Sequence, residues 1–299
     1  MTYRELLSEG ENILKNSNIQ DYKTDAFYLL EYVFNMNRSS FFLKGNESIE
    51  DNQTGKIKEY FDKIDIRKNH TPLQHITNCQ EFMGLSFYVD ENVLIPRQDT
   101  EILVEKAIKI CNGIDIGNTD GNKVRVLDMC TGSGCIAVSL AKLCKNTMVT
   151  AVDLSDKALE VAVINAKNNE ADINFKESDL FTSLSETLFD IIVSNPPYIK
   201  TGDIENLMEE VKFNEPFMAL DGSEDGLKFY RRITEESVKY LRAGGYLVYE
   251  IGYDQAVEVR AIMESNGFDD IEIIKDLAGL DRVVCGRLDN GGNRRCLIN

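Results

Sequence analysis

Val126-Leu127-Asp128-Met129-Cys130-Thr131-Gly132-Ser133-Gly134-Cys135-Ile136-Ala137 decides the fold, because it passes from a strand-like apolar run through a glycine loop into the start of a helix. Gly132 and Gly134 permit a tight turn and let a ligand approach the backbone closely. No Gly-Lys-Ser/Thr follows, so this is not a P-loop, and Ala137 breaks a full G-x-G-x-x-G pattern. Further strand-like runs follow the first one at 124–128: 148–153, 173–176, 190–194, 245–251, 271–275 and 282–287, mostly separated by helix-length amphipathic stretches. That alternation predicts an α/β fold with a mainly parallel sheet covered on both faces. Ligands of such sheets bind outside the carboxyl ends of the strands, near the point where the strand order reverses.

Asp153 ends the second of these strands, 25 residues after Asp128, and could accept both ribose hydroxyls of a nucleoside. Asp179 follows the third, in Glu177-Ser178-Asp179-Leu180-Phe181, and could accept an adenine amino group with Leu180 beside the ring. Each acid alone serves equally well as a helix N-cap. Three successive strands ending in Asp, the first with a glycine loop, favour a nucleoside site. It would be built from Cys130, Thr131, Gly132, Ser133, Gly134, Asp153, Asp179 and Leu180, with Asn195 after the next strand also at the cofactor.

Upstream the periodicity is helical. Leu6, Leu7, Ile13 and Leu14, then Ala26, Leu29, Leu30, Val33 and Phe34, then Ile57, Tyr60, Phe61 and Ile64 mark amphipathic helices. Thr71-Pro72 is expected to close the last of them, since the residue before proline disfavours the α region. Residues 80–89 turn to a strand pattern with Met83-Gly84 as a hairpin turn. The expected organisation is a helical domain at 1–72, a linker with a β-hairpin at 73–98, an α/β domain at 99–288 and a mobile Gly/Asn-rich tail at 289–299.

The 299 residues are 43% apolar and 28% charged, an ordinary globular composition. The net charge of −17 argues against a large phosphate-tracking surface, and hence against direct nucleic-acid binding. Residues 1–80 hold 10 Lys+Arg against 12 Asp+Glu, so 15 of the 17 net negative charges fall on the remainder. Seven scattered cysteines, with no C-x-x-C pair, read as reduced thiols of a cytoplasmic protein rather than a metal site. No apolar run approaches 18 residues, so no membrane association is expected.

Asn195-Pro196-Pro197-Tyr198 follows the run Phe189–Ser194. Two prolines fix two φ angles and remove two backbone donors, leaving a stiff loop that presents carbonyl oxygens, the Asn195 side chain and the flat face of Tyr198. Such a loop can hold a planar amino group, or it can simply end a strand.

With the donor loop and this acceptor loop together, the chain resembles the class I S-adenosylmethionine-dependent methyltransferases, whose Rossmann-like fold carries a seven-stranded sheet. Within that class it resembles most closely the protein-(glutamine-N5) methyltransferases of peptide chain release factors. The resemblance rests on Pro72-Leu73-Gln74-His75-Ile76, on Leu94-Ile95-Pro96-Arg97-Gln98-Asp99-Thr100-Glu101, on the glycine loop, and on Asn195 through Ile199. It continues through Glu215-Pro216, Ala219-Leu220-Asp221-Gly222 and Asp225-Gly226-Leu227, and with the helical domain it covers essentially the whole chain. It implies methylation of the side-chain amide nitrogen of the glutamine in a Gly-Gly-Gln motif, with S-adenosylhomocysteine as product, and a helical domain that docks the release factor. In this reading Asn195 and the Pro196 carbonyl accept the two amide hydrogens, Tyr198 packs over the amide plane, Pro197 stiffens the loop, and the enzyme is a monomer. A DNA or RNA adenine-type amino-methyltransferase would share the loop chemistry but needs a nucleic-acid surface that the acidic C-terminal part disfavours.

Two positions depart from the family pattern: Gln98 replaces a second proline, and Cys130 replaces a glycine, which is free of strain only if its φ is negative. Arg97 and Glu101 either order the loop over the cofactor or form an i,i+4 pair on a helix surface. Glu250, ending the run at 245–251, could support the acceptor loop.

Overall fold

The computed structural model describes residues 1–115, 117, 123–185 and 187–289; the tail expected at 289–299 lies outside the described residues beyond Asp289. The chain divides into two compact units, Met1–Cys79 with Met208–Asn214, and Gln80–Leu207 with Glu215–Asn299.

The first unit is helical: α1 (Tyr3–Asn16), α2 (Tyr22–Phe34), α3 (Arg38–Lys44), α4 (Thr54–Arg67) and α5 (Leu73–Thr77). Thr2 opens α1 with a capping box, its hydroxyl accepting from Glu5 N (3.2 Å) while the Glu5 carboxylate accepts from Thr2 N (2.8 Å). Leu6, Leu14, Ala26, Leu29, Leu30, Tyr60 and Ile64 are fully buried in one cluster, so the apolar stripes read from the sequence meet as a core. The last long helix stops at Arg67, ahead of Thr71-Pro72, where the chain turns out through His70 with φ of +63° while the Arg67 side chain turns inward. It is buried against Asp25 (2.7 Å) and Glu210 (2.6 Å), and its Nη1 donates to the Thr71 carbonyl (3.2 Å).

The second unit begins with a hairpin, β1 (Gln80–Phe82) and β2 (Leu85–Phe87), turning at Met83 and Gly84, both with positive φ as a two-residue primed turn requires. Then follow α6 (Thr100–Gly113), β3 (Val124–Met129), α7 (Cys135–Leu143), β4 (Thr147–Asp153), α8 (Asp156–Asn168), β5 (Ile173–Glu177) and β6 (Phe189–Ser194). After α9 (Glu209–Asn214), which belongs with the first unit, come α10 (Phe217–Leu220), α11 (Lys228–Tyr240), β7 (Leu241–Glu250), α12 (Ala256–Ser265), β8 (Phe268–Lys275) and β9 (Asp281–Leu288).

The seven long strands form one sheet in the order β5-β4-β3-β6-β7-β9-β8, parallel except for β9, which runs antiparallel to β7 and β8. Side chains alternate between two cores: Val124 and Val126 of β3 enter the one that holds Leu103 and Val138, and Leu127 and Met129 enter the one that holds Tyr230 and Val259. Both faces are therefore covered, and β6 is buried at every position. The strand order reverses between β3 and β6, which puts the glycine loop and the Asn195 loop side by side at the same sheet end. This is the class I methyltransferase fold.

Candidate active site

A cavity opens beyond the carboxyl ends of β3, β4 and β6. Its wall includes Cys130, Thr131, Gly132, Ser133, Asp153, Asp179, Leu180, Asn195 and Pro197; Gly134, Pro196 and Tyr198 lie next to it in the chain and are not on the wall.

The glycine-loop side is held by two carboxylates with different duties. Asp128 is fully buried; its Oδ2 accepts from the Thr131 hydroxyl (2.6 Å) and from Ala137 N (3.1 Å), tying the glycine loop to the first turn of α7. Burial pushes its carboxyl up to about 7, and Oδ1 has no hydrogen-bond partner. Asp153 lies on the cavity wall, with Oδ2 accepting from Gly132 N (2.8 Å) and Oδ1 from Ser155 N (3.0 Å). Each of its oxygens keeps a lone pair, so a diol can still be received. Burial raises its pKa, and the backbone donors from Ser155, Gly132 and Leu154 oppose that rise. A Cβ placed on Gly132 would meet nothing within 4 Å, so the loop leaves open space where a ligand can approach the backbone. These residues fit a nucleoside.

Asp179 is exposed and forms an ion pair with Arg232 (3.0 Å), so any adenine amino group would share that carboxylate. Leu180 beside it is buried, with φ of +53°. Cys130 has φ of +62°, so the side chain that replaces glycine does sit in the left-handed region, at about 1–2 kcal/mol of strain.

The side of the cavity formed by the Asn195 loop is assembled from distant segments. Asn195 Nδ2 donates to the Thr100 hydroxyl at the start of α6 (3.4 Å). Tyr198 is pinned at both ends: its hydroxyl donates to Glu250 Oε1 (3.5 Å) and its carbonyl accepts from Gln255 Nε2 (3.0 Å). Burial raises the Tyr198 phenol well above its usual pKa and lifts the Glu250 carboxyl to about 7. Ile199 N donates to Leu220 O (3.0 Å) and Gly222 N to Ile199 O (2.8 Å), joining the loop to the Asp221-Gly222 segment. At Gly226, with φ of +74°, a Cβ would lie 2.4 Å from the Tyr198 carbonyl oxygen, so only glycine allows this contact.

Arg97 and Glu101 do not pair with each other in the way helical spacing suggested. Arg97 Nη2 reaches Glu215 Oε1 (2.7 Å), while Glu101 accepts from Met83 N (2.7 Å) and holds the hairpin turn. Glu215 is buried and also accepts from Ile95 N (3.4 Å), which clasps the segment before α6 to the one before α10. Sequence reasoning missed Asn165, a fully buried residue of α8. Its side chain donates to Tyr88 O (2.9 Å) and Ser133 O (2.8 Å) and accepts from Tyr88 N (2.6 Å), fixing the glycine loop to the strap leaving the hairpin. A polar residue at a core-facing helix position was the available signal.

Comparison with known proteins gives a consistent picture. Residues 5–77 match the PrmC N-terminal domain and residues 115–214 the Methyltransferase small domain. A release factor glutamine methyltransferase from Clostridium acetobutylicum is 44% identical over 95% of this chain and 98% of its own length. One from Clostridium botulinum is 40% identical over 96% and 99%. Among solved structures, a methyltransferase from Pyrococcus furiosus is 16% identical with a TM-score of 0.50, covering 78% of this chain and 99% of that one, a likeness of fold alone. No helix among the described residues is long and apolar enough to cross a membrane. With relatives this similar along nearly the whole chain, and the glycine loop and Asn195 on the wall of one cavity, the protein is a methyltransferase and belongs to the release factor glutamine methyltransferase family.

Proposed function

We propose that this chain transfers the methyl group of S-adenosylmethionine to the side-chain amide nitrogen, N5, of the glutamine in the Gly-Gly-Gln motif of peptide chain release factors. The observation that carries this reading is that Asn195 lines the same cavity as Asp153 and the glycine loop. In this reading Asp153 receives the ribose hydroxyls, Leu180 and Asp179 the adenine, and the Cys130–Gly134 loop the rest of the donor. The bound donor supplies an electrophilic methyl group on a sulfonium.

An amide nitrogen is a poor nucleophile because its lone pair is shared with the carbonyl. Asn195 Oδ1 and the Pro196 carbonyl accept the two amide hydrogens, which raises electron density at nitrogen and stabilises the positive charge that grows there in the transition state. The two prolines keep those acceptors in place without competing backbone donors, so nitrogen and methyl can be held in line. Tyr198 closes the amide plane while its hydroxyl stays with Glu250. The amide proton leaves after transfer, so no strong general base is needed. The helical segment at 1–72 docks the release factor, and the enzyme works as a cytoplasmic monomer.

The test is to incubate the chain with methyl-labelled S-adenosylmethionine and a release factor, or with nucleic acid. Label is expected on the release factor and lost when its Gly-Gly-Gln glutamine is replaced by Glu. Label on nucleic acid alone would reject the reading.

A further inference from the structure

Ala158, Val161, Asn165 and Asn169 fall on one face of α8, and all four hold the strap that leaves the hairpin. Ala158 and Val161 pack with Val89 and Val93, and Asn169, which caps the helix, donates to Ser86 O (2.9 Å). Tyr88 lies just past β2, so its N–H and carbonyl are outside the hairpin ladder. The fully buried Asn165 serves both: Oδ1 accepts from Tyr88 N (2.6 Å) and Nδ2 donates to Tyr88 O (2.9 Å). Its other amide hydrogen goes to Ser133 O in the glycine loop (2.8 Å). A backbone N–H can only donate, which fixes the oxygen end of the amide on Tyr88 N and turns both hydrogens to the two carbonyls. The loop also rests directly on this helix, since a Cβ on Gly134 would lie 3.0 Å from the Ala162 Cβ. Strap and loop both reach the cavity wall, the strap through Asn92, Val93 and Leu94, the loop through Gly132 and Ser133.

We propose that Asn165 is a positioning residue for donor binding: by holding the Tyr88 backbone and the Ser133 carbonyl on one amide, it sets the spacing of two walls that S-adenosylmethionine contacts. The proposal rests on the donor site described above. The job calls for one acceptor and two donors on a short rigid stem, which is the inventory of an asparagine; an ionised aspartate of the same shape would face two carbonyls with no hydrogen to offer. Without the amide, strap and loop are no longer fixed to each other before the donor arrives. Their ordering must then be met from the binding energy, so the loss falls on affinity. Asn195 is held from a different side, by Thr100, so turnover of the loaded enzyme is spared.

The experiment measures S-adenosylmethionine affinity by calorimetric titration, the unfolding temperature without donor, and kcat at saturating donor for Asn165→Ala, Asn169→Ala and Asp153→Ala. Asn165→Ala is expected to weaken donor affinity about 10- to 100-fold, the scale of buried hydrogen bonds left unmade in a preorganised site. Its kcat at saturating donor should stay within about threefold of wild type. Asn169→Ala, which frees the hairpin end but not the glycine loop, should keep donor affinity within about twofold. A purely structural role would lower the unfolding temperature of Asn165→Ala and leave the affinity of the folded protein unchanged. That result, or an equal loss of affinity in Asn169→Ala, overturns the proposal and leaves the reading of the donor site standing. Should Asn165→Ala fail to fold, Asn165→Ser, which leaves room for a bridging water, decides by the same criterion. Unchanged donor affinity in Asp153→Ala instead removes the reading of the donor site, and the proposal with it.

Discussion

The two sides of the cavity are built in opposite ways. On the donor side, Asp128 binds groups three and nine residues along the chain, and Asp153 binds Ser155 and the glycine loop one strand away. On the acceptor side, Asn195 leans on Thr100, and Tyr198 leans on Glu250, Gln255 and Gly226, all from separate elements. A loop that satisfies its own polar groups needs little beyond a strand, a glycine and an acid. A loop whose two prolines have given up their donors must be fixed by others. The donor side should therefore fail one property at a time, while the acceptor side should fail as a unit.

The sharpest form of that contrast is a pair of single substitutions. Asn195→Ala should cut kcat by about 10²- to 10³-fold, the scale seen when one preorganised transition-state hydrogen-bond group is removed, with S-adenosylmethionine affinity largely retained. Asp153→Ala should weaken S-adenosylmethionine binding by about 30- to 100-fold, as loss of hydrogen bonds to a charged acceptor implies, and saturating donor should restore much of the rate. Calorimetric titration with the donor, beside initial rates, separates the two. Equal loss of affinity in both variants would dissolve the distinction between the sides.

Gly226→Ala probes whether the acceptor side is one unit. The new methyl would sit 2.4 Å from the Tyr198 carbonyl oxygen and 2.6 Å from Gln255 Nε2, at a φ of +74°. Strain and overpacking together should cost about 2–4 kcal/mol. Turnover should fall roughly tenfold although Gly226 is not on the cavity wall, because Tyr198 and its neighbours move together. Thermal unfolding and kcat measured on the same preparation check this. A destabilised variant with unchanged kcat would show that Tyr198 is held independently of Gly226.

The same contrast explains what could be read from the sequence. The seven strands, the Met83-Gly84 turn and the glycine loop each follow from residues within a short window, where side-chain periodicity and the demand for positive φ act locally. The supports of the acceptor loop could not be read in this way. Arg97 and Glu101 stand at helical spacing, and nothing local says that Glu215, 118 residues away, will claim the arginine. Likewise Thr100 was visible only as part of a motif, and its use depends on the packing of α6 against β6 and β7. The structure also lengthens β7 back to Leu241, four residues before the strand pattern begins, because the ladder with β6 is irregular there and the intervening Gly244-Gly245 hides the periodicity.

Cys130 gives the smallest expected effect and the finest test of how self-sufficient the donor loop is. Its φ of +62° belongs to the region that glycine occupies without cost, yet the thiol is packed against the core around Met129 and Tyr249, where burial raises its pKa well above that of a free thiol. Cys130→Gly would remove about 1–2 kcal/mol of backbone strain. It would also give up the apolar contacts of a small half-buried side chain and loosen the unfolded chain, each worth up to about 1 kcal/mol. These effects oppose each other, so the net change in stability should stay within about 1 kcal/mol, with S-adenosylmethionine affinity altered less than about threefold. Urea unfolding and donor titration of this one variant suffice. A larger gain in affinity would mean that the side chain at position 130 intrudes on the donor; a larger loss of stability would mean that the thiol, rather than the glycines and acids, anchors the loop.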